Sequence, residues 1–172
     1  MGSLKLIRGA TGASLRREIE KIKRKKVVAS KIVDLAEFRS LHKHAEPRTI
    51  LAVDDDEIMR NAMKRILDGE GYRTVLAEDG MELSKVLESM KLDLVLLDVN
   101  LPWVDGFELC RLMKGHHALK HVPLVLVSGR KDKEDVEKGF DAGANDYITK
   151  PFDVGFMTNV INRLLTEDAS EA

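Results

Sequence analysis

Along residues 49–166, apolar and polar positions alternate between a strand period and a helix period. Thr49 to Val53 (TILAV) is β-branched and apolar, which predicts a strand. The chain then turns acidic, and Ile58, Ala62, Ile66 and Leu67 follow at helical spacing until Gly69 and Gly71 end the helix. Tyr72 to Ala77 predicts a second strand, and Leu83, Val86, Leu87 and Met90 mark a second helix. Leu92 to Leu97 is a strongly apolar third strand, as expected where helices cover both faces of a sheet. Phe107 to Met113 belongs to a third helix, Val122 to Val127 to a fourth strand, and Val136 to Ala142 to a fourth helix. Asp146 to Thr149 makes a short fifth strand, and Phe156, Val160, Ile161, Leu164 and Leu165 mark a closing helix. Five strands, each followed by a helix, imply an α/β fold: a doubly wound, five-stranded parallel sheet with helices on both faces. Ligands of such sheets sit beyond the carboxyl ends of the strands, near the point where strand order reverses.

Residues 1–48 carry a different pattern. Ser14 is placed to cap a helix in which Leu15, Ile19 and Ile22 share a face, and Val28, Ile32, Leu35 and Phe38 repeat the spacing. Both stripes are narrow, and isolated helices of this length are marginal in water, so these would need something to pack on. His44 to Arg48, with Pro47, reads as a linker. The expected organisation is a basic helical N-terminal extension over 1–48, one α/β domain over 49–166, and a short tail over 167–172.

Charge sharpens that division. Residues 1–49 hold 13 Lys or Arg against 5 Asp or Glu, a surplus of +8, whereas residues 50–172 hold 15 against 24, a surplus of −9. Such asymmetry points to two regions with different tasks. The 172 residues are 44% hydrophobic and 33% charged, enough apolar material for a core and unlike a disordered chain. No apolar run approaches the roughly 20 residues of a membrane span, and no secretory signal opens the sequence. The single cysteine, Cys110, excludes an internal disulfide and a Cys-based zinc site. A cytoplasmic location is expected.

The chemistry gathers at the strand ends. The first strand runs into Asp54-Asp55-Asp56-Glu57, the third into Asp98-Val99-Asn100-Leu101-Pro102, the fourth into Ser128-Gly129 and the fifth into Lys150-Pro151-Phe152. In the expected fold these ends converge, and clustered carboxylates repel one another unless a cation neutralises them. Oxygen ligands without cysteine or histidine select a hard divalent ion, of which Mg²⁺ is the most available. A carboxylate beside such an ion, with a lysine and a hydroxyl opposite, is equipped to accept a phosphoryl group. Turn formation explains any one of these residues. It does not explain their joint order at four strand ends.

These residues resemble the receiver domain of two-component response regulators, of the stand-alone, chemotaxis-receiver-like kind. The likeness rests on VDDDE at 53–57, LLDVNLPWVDGFEL at 96–109, VLVSG at 125–129 and GANDYITKPF at 143–152. It implies a flavodoxin-like sheet of order 2-1-3-4-5 and a phosphorylation-dependent switch of the bacterial type. Asp98 would be the phosphoacceptor, charged by a histidine kinase or phosphotransfer protein. Asp54 and Asp55 would bind Mg²⁺ together with Asp98 and the backbone carbonyl of Asn100. Ser128 would hydrogen-bond the phosphoryl group, Lys150 would pair with it, and Tyr147 would be the aromatic whose rotamer reports it. The Lys150-Pro151 bond is often cis in this family. Asp56 and Glu57 would then cap the first helix, and Asn100 and Arg130 would flank the mouth of the site. Such a switch is not an enzyme beyond its own phosphorylation and dephosphorylation.

Rival readings fit less well. An aspartate-nucleophile phosphatase places a second Asp two residues after the first, where Asn100 stands. A flavodoxin-type cofactor binder needs a Gly- or Ser/Thr-rich loop after the first strand, where this chain has four acidic residues. His117 and His121 are four apart but straddle a helix end, and Cys110 at helical spacing from Phe107 reads as core. Trp103 is expected to cover the loop after Asp98. With only TEDASEA after Leu165, the output is expected through protein contacts of the face around Tyr147, a homodimer among them, or through residues 1–48. Those residues could be a docking arm, a solvated tail, or, through KIKRKK, a nucleic-acid-binding output that lacks interleaved aromatics.

Overall fold

The computed structural model describes residues 46–167, and the expectations for residues 1–45 and 168–172 lie outside them. Five strands and five helices alternate: β1 (Thr49–Val53), α1 (Glu57–Gly69), β2 (Arg73–Ala77), α2 (Gly80–Ser89), β3 (Leu94–Asp98), α3 (Gly106–Gly115), β4 (Leu124–Ser128), α4 (Lys133–Asp141), β5 (Asp146–Thr149) and α5 (Val154–Glu167). All neighbours pair in parallel, in the order β2-β1-β3-β4-β5. This is the flavodoxin-like arrangement that the resemblance to receiver domains implies.

The inner strands β1, β3 and β4 are buried from end to end, which is why they read as apolar runs. Their alternate residues still serve two cores. Leu51, Val53, Val95 and Leu97 pack with Leu83 and Val86 of α2 and with Phe107, Cys110 and Met113 of α3. Ile50, Ala52, Leu94 and Leu96 pack with Met63 and Leu67 of α1 and with Met157, Ile161 and Leu165 of α5. Each fully buried aliphatic side chain contributes about 1.5–3 kcal/mol, so the two cores carry most of the stabilisation.

Several expectations need correction. β2 starts at Arg73 rather than Tyr72, and α4 ends at Asp141 with Ala142 as its cap. β3 starts at Leu94 rather than Leu92, because the Asp93 carboxylate takes the Thr49 amide at 2.7 Å and its own amide bonds the Thr49 carbonyl. β4 starts at Leu124 rather than Val122, since Pro123 has no amide hydrogen to give a ladder. On α1, Ile58 is 81% exposed and Ala62 is also exposed, whereas Arg60, Met63 and Leu67 are buried. The inward stripe is therefore Met59, Met63, Ile66 and Leu67, one step round from the expected face, with Arg60 beside it.

Candidate functional site

Side chains at the carboxyl ends of β1, β3 and β5 meet where β1 and β3 separate the helices of the two faces. The turn after β1 is drawn tight by Asp54, whose Oδ1 accepts the Asp56 amide at 2.9 Å. Asp56 in turn caps α1, its Oδ1 accepting the amides of Ile58 and Met59, as expected. Asp98 is the last residue of β3, and its Oδ1 accepts the Asn100 amide at 3.2 Å. One carboxylate oxygen from each of Asp54, Asp55 and Asp98 lies within 4.8 Å of the others, and no other such group of three is found among the described residues. Asp54 and Asp98 are buried and Asp55 is exposed, so the cluster has a closed floor and an open mouth.

Lys150 supplies the positive charge. Its Nζ donates to Asp54 Oδ2 at 2.7 Å and to Asp98 Oδ2 at 3.1 Å, from the loop that follows β5. The Lys150-Pro151 bond is cis. Burial pushes the Asp54 carboxyl above its ordinary 3.8, against the pull of Lys150 and the Asp56 amide. Burial alone would lower the Lys150 ammonium, but its hydrogen bonds and charge interactions with Asp54 and Asp98 outweigh that and raise it. One ammonium thus serves two carboxylates, with the third alongside. An all-oxygen set of this charge fits a hard divalent cation, with Asp55 open to solvent for its entry.

Ser128 and Tyr147 form the neighbouring wall. Ser128 is fully buried, and its Oγ accepts the Arg130 amide at 3.1 Å. Tyr147 is only 7% exposed and turns inward, its hydroxyl donating to the Arg130 carbonyl at 2.8 Å. Burial pushes the Tyr147 phenol up, opposed by the neighbouring Ser128 hydroxyl. Arg130 lies over the Phe107 ring at 5.7 Å and donates from Nε to Asn100 Oδ1 at 2.7 Å, so the two side chains stand together at the mouth of the cleft. Trp103 reaches further than its own loop: its indole stacks on Gly80 and Nε1 donates to the Glu78 carbonyl at 3.3 Å. His117 and His121 fall in the turns after α3, and Cys110 is buried with its thiol pushed up to about 11 by burial.

Two residues escape a pattern reading. Arg60 is buried at the site's back, with Nη1 on the Asp54 carbonyl and Nη2 on Glu78 Oε2, both at 2.7 Å. The signal was a cation inside the inward stripe of α1. A Cβ on Gly106 would lie 2.4 Å from the Asp98 carbonyl oxygen, so only glycine lets α3 start this close to β3.

Similarity to known proteins agrees with this geometry. The response regulator receiver domain family matches residues 50–162. The transcriptional regulatory protein CseB of Streptomyces avermitilis is 36% identical over 121 residues, 70% of this chain and 50% of that protein. The chain thus spans about half the length of the curated relatives it matches. A CheY-like receiver domain protein from Methanospirillum hungatei superposes with a TM-score of 0.67 at 32% identity, over 74% of this chain and all of that one. The receiver domain of a sensor histidine kinase from Pseudomonas aeruginosa, solved with magnesium coordinated in its active-site cleft, superposes at 0.64 with 27% identity over 70% of this chain and 99% of that one. No helix among the described residues is long and apolar enough to cross a membrane. With its sheet order, its acidic cleft and these relatives, the chain belongs to the response regulator receiver domain family, the signalling-switch module of two-component systems.

Proposed function

We propose that residues 49–166 form a switch set by phosphorylation of Asp98, with a histidine kinase or a phosphotransfer protein as donor and residues 1–48 as an appended arm. The observation that carries this reading is the single Lys150 ammonium bonded to both Asp54 and Asp98 within a three-carboxylate cluster. Asp54, Asp55, Asp98 and the backbone carbonyl of Asn100 would hold Mg²⁺. When bound, the ion neutralises the carboxylates and the charge on the phosphoryl oxygens.

Asp98 Oδ then forms the new bond to phosphorus while the P–N bond to the donor imidazole breaks. The imidazole departs with the bonding pair and takes up a proton. Lys150 transfers from carboxylate to phosphoryl oxygen, a short swing since it already touches Asp98. Ser128 hydrogen-bonds a second phosphoryl oxygen. Drawing its hydroxyl toward the phosphoryl group changes the surroundings of the Tyr147 phenol and shifts the equilibrium of the face around β5. A downstream protein, or a second copy of the chain, would read that face. Asn100, whose side chain bonds Arg130, offers no acid or base for a phosphatase cycle.

The test is to locate the acyl phosphate. After incubation with acetyl phosphate and Mg²⁺, borohydride reduction should convert the modified aspartate to homoserine within the tryptic peptide 92–111. Conversion at position 98 supports the reading, and conversion at Asp93 or Asp105 of the same peptide overturns it.

A further inference from the structure

We infer that Arg60 is a positioning residue for the divalent-cation site, holding the β1–α1 turn in the shape that lets Asp54 and Asp55 bind the ion together. The inference rests on the metal reading above and adds a residue outside the ligand set.

Arg60 is 8% exposed, and a guanidinium is rarely placed so deep without a fixed task. Nη1 donates to the backbone carbonyl of Asp54 at 2.7 Å, so it grips the main chain of a ligand residue rather than its carboxylate. Asp54 is thereby held at four points: its carbonyl by Arg60, Oδ1 by the Asp56 amide, Oδ2 by Lys150, and its own amide on the Ala77 carbonyl of β2 at 3.3 Å. When Lys150 leaves Asp54 for another partner, Arg60 on its carbonyl, the Asp56 amide on Oδ1 and the Ala77 carbonyl on its amide still hold the residue. Nη2 meanwhile pairs with Glu78 Oε2 at 2.7 Å. The carbonyl of Glu78 receives the Trp103 indole, and Trp103 lies in the loop that carries Asn100. The planar fork of Arg60 therefore joins the turn after β1 to the loop after β2, which is tied to the loop after β3. A lysine could reach one of the two acceptors but not brace both. Groups that orient ligands in this way affect metal affinity by about 10–100-fold.

Charge and position predict opposite outcomes. If Arg60 acted only as a buried positive charge near the ion, removing it would tighten Mg²⁺ binding. If it positions the turn, removing it weakens binding. Trp103 is the chain's single tryptophan and lines the same open cleft as Asp55, so its fluorescence can follow a titration with Mg²⁺ alone. The full chain, Arg60→Met, Arg60→Lys and Asp54→Asn are titrated, with thermal unfolding recorded for each.

The expected result is Mg²⁺ affinity lowered about tenfold in Arg60→Met and about threefold in Arg60→Lys, at temperatures where both remain folded. Wild-type or tighter affinity in Arg60→Met overturns the inference while leaving the metal reading intact. If Arg60→Met does not fold, Arg60→Lys decides: weakened binding supports positioning and unchanged binding overturns it. Asp54→Asn binding Mg²⁺ as well as wild type would overturn the metal reading and this inference with it.

Discussion

Asp54 is a carboxylate at 1% exposure, and its burial raises its pKa above the ordinary 3.8 despite the Lys150 ammonium. Folded Asp54 therefore holds its proton more tightly than the unfolded chain does. Ionising it costs stability as pH rises from 3.8 through the folded value, and the cost is absent below 3.8. Asp54→Asn should then be more stable than wild type in EDTA at neutral pH, with an advantage that shrinks as pH falls through that window. Urea unfolding between pH 3 and pH 7 checks it, and a pH-independent difference would contradict it. The meeting of Asp54, Asp98, Ser128 and Lys150 was legible in the sequence because each stands at or just past the carboxyl end of a strand; which of the four acidic residues after β1 would face the site rested on the resemblance. Arg60 was not, because the alignment of Ile58 with Ala62 and Ile66 hid the true inward stripe. A charge within a stripe carries no sign of which backbone atom it meets.

Among the elements, α4 buries a single residue of its own, Gly139. A Cβ there would lie 2.8 Å from Tyr147 Cδ2 and 3.0 Å from Leu126 Cδ1. The inward position of Tyr147 thus depends on the missing methyl group of Gly139. Helix propensity alone favours Gly139→Ala by about 1 kcal/mol, whereas overpacking costs about 1–3 kcal/mol. The variant should be no more stable than wild type, and Tyr147 should be displaced outward. Nitration by tetranitromethane, mapped by mass spectrometry, should run several-fold faster at Tyr147 than in wild type; an unchanged rate would contradict the seating of the ring on α4. The existence and order of the elements were legible because the two periods differ so plainly. The start of β3 was not, since Asp93 acts through hydrogen bonds to β1 that no local pattern encodes, whereas Pro123 ahead of β4 was a local signal that the apolar run from Val122 outweighed.

For the molecule as a whole, strand–helix alternation and the handedness of parallel crossovers make a doubly wound parallel sheet legible in the sequence, whereas its order came from the resemblance to receiver domains, because two orders satisfy the same pattern. The convergence of β1, β3, β4 and β5 then turns residues nearly 100 positions apart into one site, as the Asp54–Lys150 pair shows. On the proposed function, this site takes a phosphoryl group on Asp98 with help from a divalent cation. Intact-mass analysis of the chain after incubation with acetyl phosphate, with and without Mg²⁺ and beside Asp98→Asn, tests it most directly. The account predicts a gain of one phosphoryl group that requires both Mg²⁺ and Asp98. A gain that persists in Asp98→Asn or in EDTA, or no gain in wild type, would contradict it.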